Sequence, residues 1–306
     1  MLEEMTGVVH SVGGGSYQVV LSFSEASVEA YLRGRLKLED RLGEQVVIGD
    51  LVRTSQAAGG SHVIEEVLPR RNVIARSRGS GTAIKVLVAN VDRVLLVVAV
   101  SRPQPKTDFI DRMLVLAELE GIKPLIVINK MDLKSAENEA DILEDVYRSV
   151  GYDVIRTSTV TNQGIDRLAL ETTQGITAFA GQSGVGKSSL INSLEPQISL
   201  KTSEVSARHG TGRHTTVRGR LIPFSNGGLL ADTPGFSDAG VKGLVAQGVL
   251  GSLFPEFLPY LSDCQFRNCS HLHEPNCSVR KALSGGAIRP SRFESYRMLY
   301  DEVRVS

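Results

Sequence analysis

The chain has 306 residues, 42% of them hydrophobic, and its 34 Lys and Arg residues balance 34 Asp and Glu residues. Since a domain usually holds roughly 100–200 residues, this length predicts two or three domains with at least one sizeable core. The zero formal net charge argues against a global attraction to nucleic acid, so any basic surface must be local. The longest apolar run, residues 94–100, is far shorter than the ~20 residues of a membrane span, and no early run has the form of a signal peptide. We therefore expect a soluble, cytoplasmic protein without a membrane partner.

Short alternating apolar runs, separated by glycine turns, characterise the first part of the chain. The runs cover residues 6–10, 17–23 and 45–48, a pattern typical of a small β-barrel. Between residues 31 and 78, nine Lys and Arg outnumber six Asp and Glu. A barrel of the oligonucleotide-binding kind would use such a face on phosphates, although an ordinary solvated strand edge has the same composition.

From residue 92 onward, continuous apolar runs alternate with helical stretches. The predicted strands and helices cover, in chain order, residues 93–100, 108–119, 124–129, 136–150, 154–157 and 175–180. Buried strands joined by crossover helices indicate a mostly parallel sheet that is covered on both faces. The predicted fold class of this part is therefore α/β.

The strand at 175–180 leads into a glycine-rich loop of the phosphate-binding type, and a helix follows from about residue 187. Backbone N–H groups of such a loop cradle the β-phosphate, the Lys187 ammonium bridges the β- and γ-phosphates, and the Ser188 hydroxyl ligates Mg²⁺. Lys187 is therefore also a predicted catalytic residue. The predicted nucleotide-binding residues of this P-loop are Gly181, Ser183, Gly184, Val185, Gly186, Lys187, Ser188 and Ser189.

A guanine-selecting tetrad, Asn129-Lys130-Met131-Asp132, lies upstream of the P-loop, after a buried strand. A carboxylate accepts hydrogen bonds from the N1–H and the exocyclic amine of guanine, and adenine offers no such pair of donors. We predict that Asn129, Lys130 and Asp132 bind the base. Ser158 is predicted to offer its backbone N–H to the guanine carbonyl, with a helix cap as the alternative. Since an ordinary GTPase places the tetrad downstream of the P-loop, the order of motifs predicts a circularly permuted GTPase.

A polar segment at 206–216 lies between the P-loop and Asp232, and such segments can be ordered by a γ-phosphate and Mg²⁺. Thr216 is the predicted switch residue that contacts magnesium, with Thr215 as the alternative. Asp232 is predicted to hold a magnesium-bound water, and the Gly235 N–H to approach the γ-phosphate.

The glutamine that many GTPases use to orient the attacking water is absent, since Phe236 follows Gly235. His214 is the best substitute in the sequence, with a surface-loop histidine of no catalytic role as the alternative. Because the glutamine is absent, intrinsic hydrolysis is expected to be slow unless another group substitutes for it.

Near the end of the chain, all three cysteines lie within fourteen residues of one another, together with a histidine at metal-ligand spacing. Three thiolates and one imidazole suit tetrahedral structural zinc without an open position. His273 is the alternative nitrogen ligand, and unliganded cysteines in a small core are the alternative to a metal site. An amphipathic helix over 291–303 is predicted to pack on this cluster. The predicted zinc ligands are Cys264, Cys269, His271 and Cys277.

Taken in order, these motifs closely resemble the circularly permuted, ribosome small-subunit-dependent GTPases known as RsgA, YjeQ or YloQ. The resemblance covers essentially the whole chain, and its telling stretches are 89–92 (Ala-Asn-Val-Asp), 181–189, 212–216 and 269–277. It implies three parts: an OB-fold β-barrel that binds RNA, a permuted P-loop GTPase domain and a mainly helical zinc-binding domain. The corresponding boundaries are 1–72, 73–240 and 241–306.

The resemblance also implies a function. Members of that family bind the small (30S) ribosomal subunit and its ribosomal RNA late in assembly, hydrolyse GTP to GDP and phosphate with stimulation by the subunit, and are released after hydrolysis. By the same resemblance, His214 matches the histidine proposed to position water, and Thr216 the switch threonine. Val217 stands where relatives often carry a third threonine, which leaves the choice between Thr215 and Thr216 open. The implied cofactors are one structural Zn²⁺ and Mg²⁺ with GTP, in a monomer.

Two other functions are compatible with parts of this pattern. A nucleotide-gated RNA-binding scaffold, in which hydrolysis is incidental, would use the same barrel and zinc-binding segment. A P-loop ATPase or small-molecule kinase would share the P-loop, but the guanine tetrad argues against it.

Overall fold

The computed structural model describes residues 5–33, 45–57, 60–78, 83–133, 136–198, 219–232 and 240–304. Within these ranges the chain forms thirteen β-strands and seven α-helices. None of the helices in the described ranges combines the length and the apolar character needed to cross a membrane.

The first five strands close into a small barrel. They are β1 (Met5–Gly13), β2 (Ser16–Leu21), β3 (Ser27–Leu32), β4 (Leu51–Gln56) and β5 (His62–Val67). Around the ring, β1 pairs with β2, β2 with β3, β3 with β5, β5 with β4, and β4 with β1. Closure of the ring pairs each strand on both sides, as in a small OB-type barrel. Its core residues include Val9, Val19, Val52 and Ile64.

The predicted strand at 45–48 is wrong, because only Ile48 makes a β-bridge there, an isolated one with Val88. The Val47 N–H donates to the Asp50 carboxylate at 2.8 Å, so a side chain takes the hydrogen bond that a neighbouring strand would have accepted. Asp50 is fully buried, and Arg70 pairs with it at 2.7 Å. The apolar run at 45–48 therefore reflects burial between elements rather than strand formation.

A six-stranded sheet forms the centre of the molecule. Its strands are β8 (Arg93–Ala99), β9 (Lys123–Asn129), β10 (Asp153–Arg156), β11 (Ile176–Ala180), β12 (Gly219–Pro223) and β13 (Leu229–Asp232). They lie in the order β10-β9-β8-β11-β13-β12, and all neighbours are parallel except β12 and β13. The predicted parallel sheet is therefore present, with an antiparallel strand at one end.

Helices cover both faces of this sheet: α1 (Thr107–Leu119), α2 (Ala136–Arg148), α3 (Ile165–Leu170) and α4 (Lys187–Leu194). Alternate residues of β8 consequently belong to two separate cores. Leu96 and Val98 pack with α1 residues, whereas Leu95 and Val97 pack with residues of α4. Burial on both faces explains why the strand reads as a continuous apolar run.

A hairpin that the sequence analysis did not predict, β6 (Val73–Arg78) with β7 (Ala83–Ala89), lies between the barrel and the central sheet. After it, Asn90 donates from Nδ2 to the Gly49 carbonyl at 2.8 Å, and Asp92 accepts the first N–H of β11, from Ile176, at 2.7 Å. Gly49 has φ +83°, and a Cβ there would lie 2.1 Å from the Ala89 carbonyl oxygen. The Asn-x-Asp stretch therefore ties the barrel to the strand that leads into the P-loop.

Strand β1 also extends beyond the barrel. Its Ser11 and Val12 pair with Arg220 and Gly219 of β12, so the barrel strands and the central sheet form one eleven-stranded sheet. The strands of the barrel and of the central sheet are thus paired with each other. The predicted boundary at residue 72 between the barrel and the GTPase domain stays a prediction.

The C-terminal region contains α5 (Leu258–Leu261), α6 (Ser278–Ser284) and α7 (Pro290–Arg304). Helix α7 packs on α1 through Arg292, which is 1% exposed. Its guanidinium donates to Asp111 at 2.6 Å and to Glu256 at 2.7 Å, and its Cζ lies 4.8 Å from the centre of the Phe254 ring. This region is thus held to helix α1 by a buried ion pair, and the boundary at residue 240 also stays a prediction.

Candidate functional site

The P-loop joins the central strand β11 to helix α4. Gly184 and Gly186 have φ of +80° and +99°, where L-residues with a Cβ are strained. A Cβ on Gly186 would also lie 2.3 Å from Asn129 Nδ2. Lys187 Nζ donates to two carbonyls of the loop, including that of Gln182 at 2.9 Å. The ammonium is therefore held over the loop, next to the predicted phosphate cradle.

Asn129 connects the guanine tetrad with the P-loop. It ends strand β9 and is 2% exposed. Its Nδ2 donates to the Val185 carbonyl at 2.9 Å, and its Oδ1 accepts from the Thr157 hydroxyl at 3.0 Å. One buried side chain thus joins three loops that are distant in sequence. Thr157 was not among the predicted site residues, and no motif in the sequence pointed to it.

Ser158 makes hydrogen bonds through both its backbone and its side chain, and its predicted role toward the guanine carbonyl stays a prediction. Its backbone N–H donates to the Gln163 carbonyl at 3.0 Å, so this N–H is engaged within the chain. Its hydroxyl donates to Asp132 Oδ1 at 2.5 Å and accepts from the N–H groups of Val160 and Thr161. Ser158 therefore orients the Asp132 carboxylate, because a hydroxyl fixed by two amides holds its own proton toward that carboxylate.

Lys130 follows Asn129 with φ +67° and donates from Nζ to the Arg102 carbonyl. The adjacent Pro103 lies 3.9 Å from the position of a Cβ on Gly184. The segment between β8 and α1 therefore contacts the guanine tetrad and lies next to the P-loop. Sequence reasoning missed this wall of the site, since an exposed Arg-Pro segment carries no nucleotide-binding signal.

The predicted magnesium-binding side is described in part. Ser188 is buried in the first turn of α4, Ser189 follows it in that helix, and Ser183 is an exposed residue of the P-loop. Asp232 ends β13 and accepts from Arg220 Nε at 3.1 Å. The remaining predicted residues of this side lie outside the described ranges and stay predictions: His214, Thr215, Thr216 and Gly235.

A second site lies in the C-terminal region, where three sulfurs and one imidazole converge. The ligand atoms of Cys264, Cys269, His271 and Cys277 lie within 4.8 Å of one another. His271 Nδ1 is 3.5 Å from two of the sulfurs, and those two sulfurs are 3.9 Å apart. Bonds of about 2.3 Å to sulfur and 2.0 Å to nitrogen place tetrahedral zinc ligands at such separations. The donor set therefore fits one structural zinc ion, and no position is left open.

The surroundings of the cluster disfavour charge without a metal. Burial raises the pKa of the Cys269 thiol to about 12 and also raises the pKa of Cys277, while burial lowers the pKa of His271. Thiolates at this position therefore need a cation close by. His273, the alternative ligand, is 83% exposed and lies outside the cluster.

The loop that carries His271 is held by side chains that the sequence analysis did not single out for that role. The Glu274 carboxylate accepts the Ser270 N–H at 2.7 Å, and the Tyr296 hydroxyl of α7 donates to the Ser270 carbonyl at 2.8 Å. Helix α7 thus packs on the cysteine cluster, in agreement with the predicted helix at 291–303.

Comparison with known proteins adds sequence relatives. Residues 67–242 match the family described as RsgA GTPase. A protein of Gemmatimonas aurantiaca described as small ribosomal subunit biogenesis GTPase RsgA is 42% identical, over 99% of both chains. A protein of Caldanaerobacter subterraneus with the same description is 35% identical over 99% of this chain and 97% of its own length.

Solved structures show the same architecture. The crystal structure of YjeQ from Thermotoga maritima has a TM-score of 0.80 and 33% identity, and it covers 99% of both chains. The structure of YloQ, described as a circularly permuted GTPase, has a TM-score of 0.76 and 30% identity, over 99% of this chain and 96% of that one. These likenesses confirm the predicted fold class: a circularly permuted GTPase behind a small barrel, followed by a region with a zinc site.

Proposed function

The chain belongs to the RsgA GTPase family and is a GTP hydrolase, and we propose that it binds the small (30S) ribosomal subunit and acts late in the maturation of that subunit. Relatives described as small ribosomal subunit biogenesis GTPases match it over nearly their whole length, which supports the same role here. The proposal adds that the subunit stimulates hydrolysis and that the protein is released afterwards.

The structural observation that supports GTP as the substrate is the hydrogen-bonded junction between the guanine tetrad and the P-loop. Buried Asn129 hydrogen-bonds to Val185 and Thr157, so the predicted base-binding and phosphate-binding loops lie next to each other. Asp132, oriented by Ser158, supports recognition of the guanine N1–H and exocyclic amine. This arrangement favours GTP over ATP as the substrate.

For the phosphates, we assign Lys187 to the β- and γ-phosphate oxygens, where charge-assisted hydrogen bonds replace those to the loop carbonyls. Ser188 and Thr216 would hold Mg²⁺, with Thr215 as the alternative, and Asp232 would hold a magnesium-bound water. Bound there, Mg²⁺ neutralises charge that develops on the phosphate oxygens.

For hydrolysis, we assign the orientation of the attacking water to His214, since Phe236 stands where many GTPases have glutamine. The water oxygen bonds to the γ-phosphorus as the bond to the β–γ bridging oxygen breaks, and GDP leaves. Gly235 would offer its N–H to the γ-phosphate, and Thr216 would order the switch around it. Hydrolysis is slow until the subunit fixes this geometry.

Docking is assigned to the barrel and to the zinc-containing region, which we place at residues 1–72 and 241–306 on either side of the GTPase domain at 73–240. We propose that both contact ribosomal RNA and that the protein acts as a cytoplasmic monomer. Because a ligand shifts binding only by its differential affinity for two states, release after hydrolysis requires the GTP form to bind subunits more tightly than the GDP form.

The decisive experiment is GTP turnover with and without isolated small subunits, with large subunits and ATP as controls. Stimulation by small subunits alone, with GTP alone, is the expected result. Equal turnover with either subunit, or equal affinity of the GTP and GDP forms for small subunits, would contradict the proposal. Subunit maturation that survives a His214→Ala exchange with hydrolysis abolished would favour a scaffold instead.

A further inference from the structure

Three residues on adjacent strands form a row from the barrel to the predicted phosphate site. Ser11 of β1 stands opposite Arg220 of β12, and Arg220 stands opposite Asp232 of β13. β1 is a barrel strand, whereas Asp232 ends the strand that leads to the predicted γ-phosphate contact. A single lateral row of paired residues therefore spans both functional regions.

The ion pair between Arg220 and Asp232 in this row is partly exposed to solvent. Arg220 Nε donates to Asp232 Oδ2 at 3.1 Å, and the side chains are 39% and 29% exposed. Partly exposed ion pairs contribute little to stability, because water competes for both partners. Such a pair can be exchanged, and while it exists the guanidinium opposes the approach of another cation to this carboxylate.

The outer end of the row is fixed to the barrel at two points. β1 has a bulge between Val9 and Ser11, just before the two residues at which it pairs with β12. From the barrel side, the Ile48 side chain reaches within 3.4 Å of the position of a Cβ on Gly219, at the start of β12. Since bulges redirect a strand locally, the orientation of the start of β12, including Arg220, depends on the barrel.

We propose that Arg220 is a positioning residue that couples the barrel to Asp232: it competes with a divalent cation for the carboxylate, and strand β1 sets how firmly it does so. The inference rests on the proposed function, in which Asp232 serves the magnesium side of a GTP complex and the barrel docks on RNA. Docking that shifts β1 then loosens the pair and makes the carboxylate available. Arg220 itself contacts neither the water nor the phosphorus.

A magnesium titration tests the first half of the coupling. The full-length protein binds a fluorescent, non-hydrolysable GTP analogue, and the Mg²⁺ concentration that gives half-maximal binding is measured. Arg220→Ala is expected to lower that concentration about two- to five-fold, the range of a partly exposed ion pair. Arg220→Lys, which keeps the charge, is expected to stay near wild type. An unchanged or raised concentration for Arg220→Ala overturns the proposal.

Two further variants separate this effect from a general loss of structure. Arg53→Ala removes a cross-strand pair with Glu66 in the barrel, at 3.2 Å and with 41% and 48% exposure, and is expected to leave the magnesium dependence unchanged. In an Asp232→Asn background, Arg220→Ala is expected to have no further effect. A shift of the same size in that background would show that Arg220 acts elsewhere, and would overturn the proposal.

Isolated small ribosomal subunits test the second half of the proposal, the coupling between the barrel and Asp232. The ratio of subunit-stimulated to unstimulated GTP turnover is expected to be lower in Arg220→Ala than in wild type, at unchanged subunit affinity. An equal ratio overturns the coupling to the barrel. If subunits do not stimulate even the wild type, the proposed function and this second half both fail, while the magnesium titration still decides whether Arg220 competes for Asp232.

Discussion

The guanine loop is assembled from residues distant in sequence, whereas the zinc cluster comes from one segment of fourteen residues, and the two sites are held in different ways. In the guanine loop, hydrogen bonds join Asn129 to neutral groups of Val185 and Thr157 and join Ser158 to the Asp132 carboxylate. In the zinc cluster, burial works against the charged form of the donors, as the raised pKa of Cys269 shows. We therefore expect the first site to keep its arrangement without its ligand, and the second to depend on its metal.

Loss of zinc is the strongest way to test this difference. Cys277→Ser leaves three donors, and we expect it to unfold much of the C-terminal region, since structural zinc is worth about 10–16 kcal/mol in small zinc domains at neutral pH. Guanine nucleotide affinity should stay close to wild type. Zinc content by mass spectrometry, protease sensitivity and GDP titration check both statements. A variant that keeps its zinc and its thermal midpoint would contradict the comparison.

The buried ion pair between Arg292 of α7 and Asp111 of α1 tests how strongly the C-terminal region is held to helix α1. Although burial opposes the charge, Asp111 and Glu256 raise the pKa of Arg292 above its ordinary value. Arg292→Ala leaves the Asp111 carboxylate buried without its cation, and we expect a loss of about 3–5 kcal/mol in the free energy of unfolding, measured in urea. Arg297→Ala, which removes an exposed pair with Glu294 on the same helix, is the control and should change little. Equal stabilities of the two variants would refute the structural role of the buried pair.

Asn129→Ala removes the side chain that links the guanine tetrad to the P-loop. It deprives the Val185 carbonyl and the Thr157 hydroxyl of a buried partner, each at a cost of roughly 1–3 kcal/mol, so GDP affinity should fall about 100-fold. Zinc content should not change. Asn226→Ala removes an asparagine that also donates to a carbonyl, but from the exposed turn between β12 and β13, and it should retain wild-type GDP affinity. Calorimetric titration with GDP distinguishes the two.

Ser158→Ala tests whether the Ser158 hydroxyl orients the Asp132 carboxylate for base recognition. Its expected effect is the smallest of these four substitutions. Without the hydroxyl, Asp132 loses a hydrogen bond to a charged group, worth about 1.5 kcal/mol, so GDP should bind about tenfold more weakly. Ser158→Thr keeps the hydroxyl and should bind as wild type does. Since the backbone N–H of Ser158 is engaged with Gln163, a full loss in the threonine variant as well would mean that the side chain has another role.

Much of the fold was predictable because its signals are local. The buried strands read as apolar runs, and the P-loop and the cysteine spacing each lie within one short segment. The exceptions show the limit of such reading. Residues 45–48 have strand-like composition, but Asp50 takes the Val47 N–H, and Arg70, twenty residues further on, neutralises Asp50. The apolar residues of this run indicate that it is buried, but burial alone does not show that a segment forms a strand.

By itself, the sequence predicted which chemistry the chain carries: a phosphate loop, a carboxylate for guanine and a tetrahedral set of soft metal donors. Only the tertiary structure decided which atoms do the work. It engaged the Ser158 N–H within the chain and turned the hydroxyl to Asp132, and it placed Arg220 opposite Asp232 and Ser11. The physical reason is that residue identity sets donors and acceptors, whereas strand register and loop packing set which of them are close enough to bond.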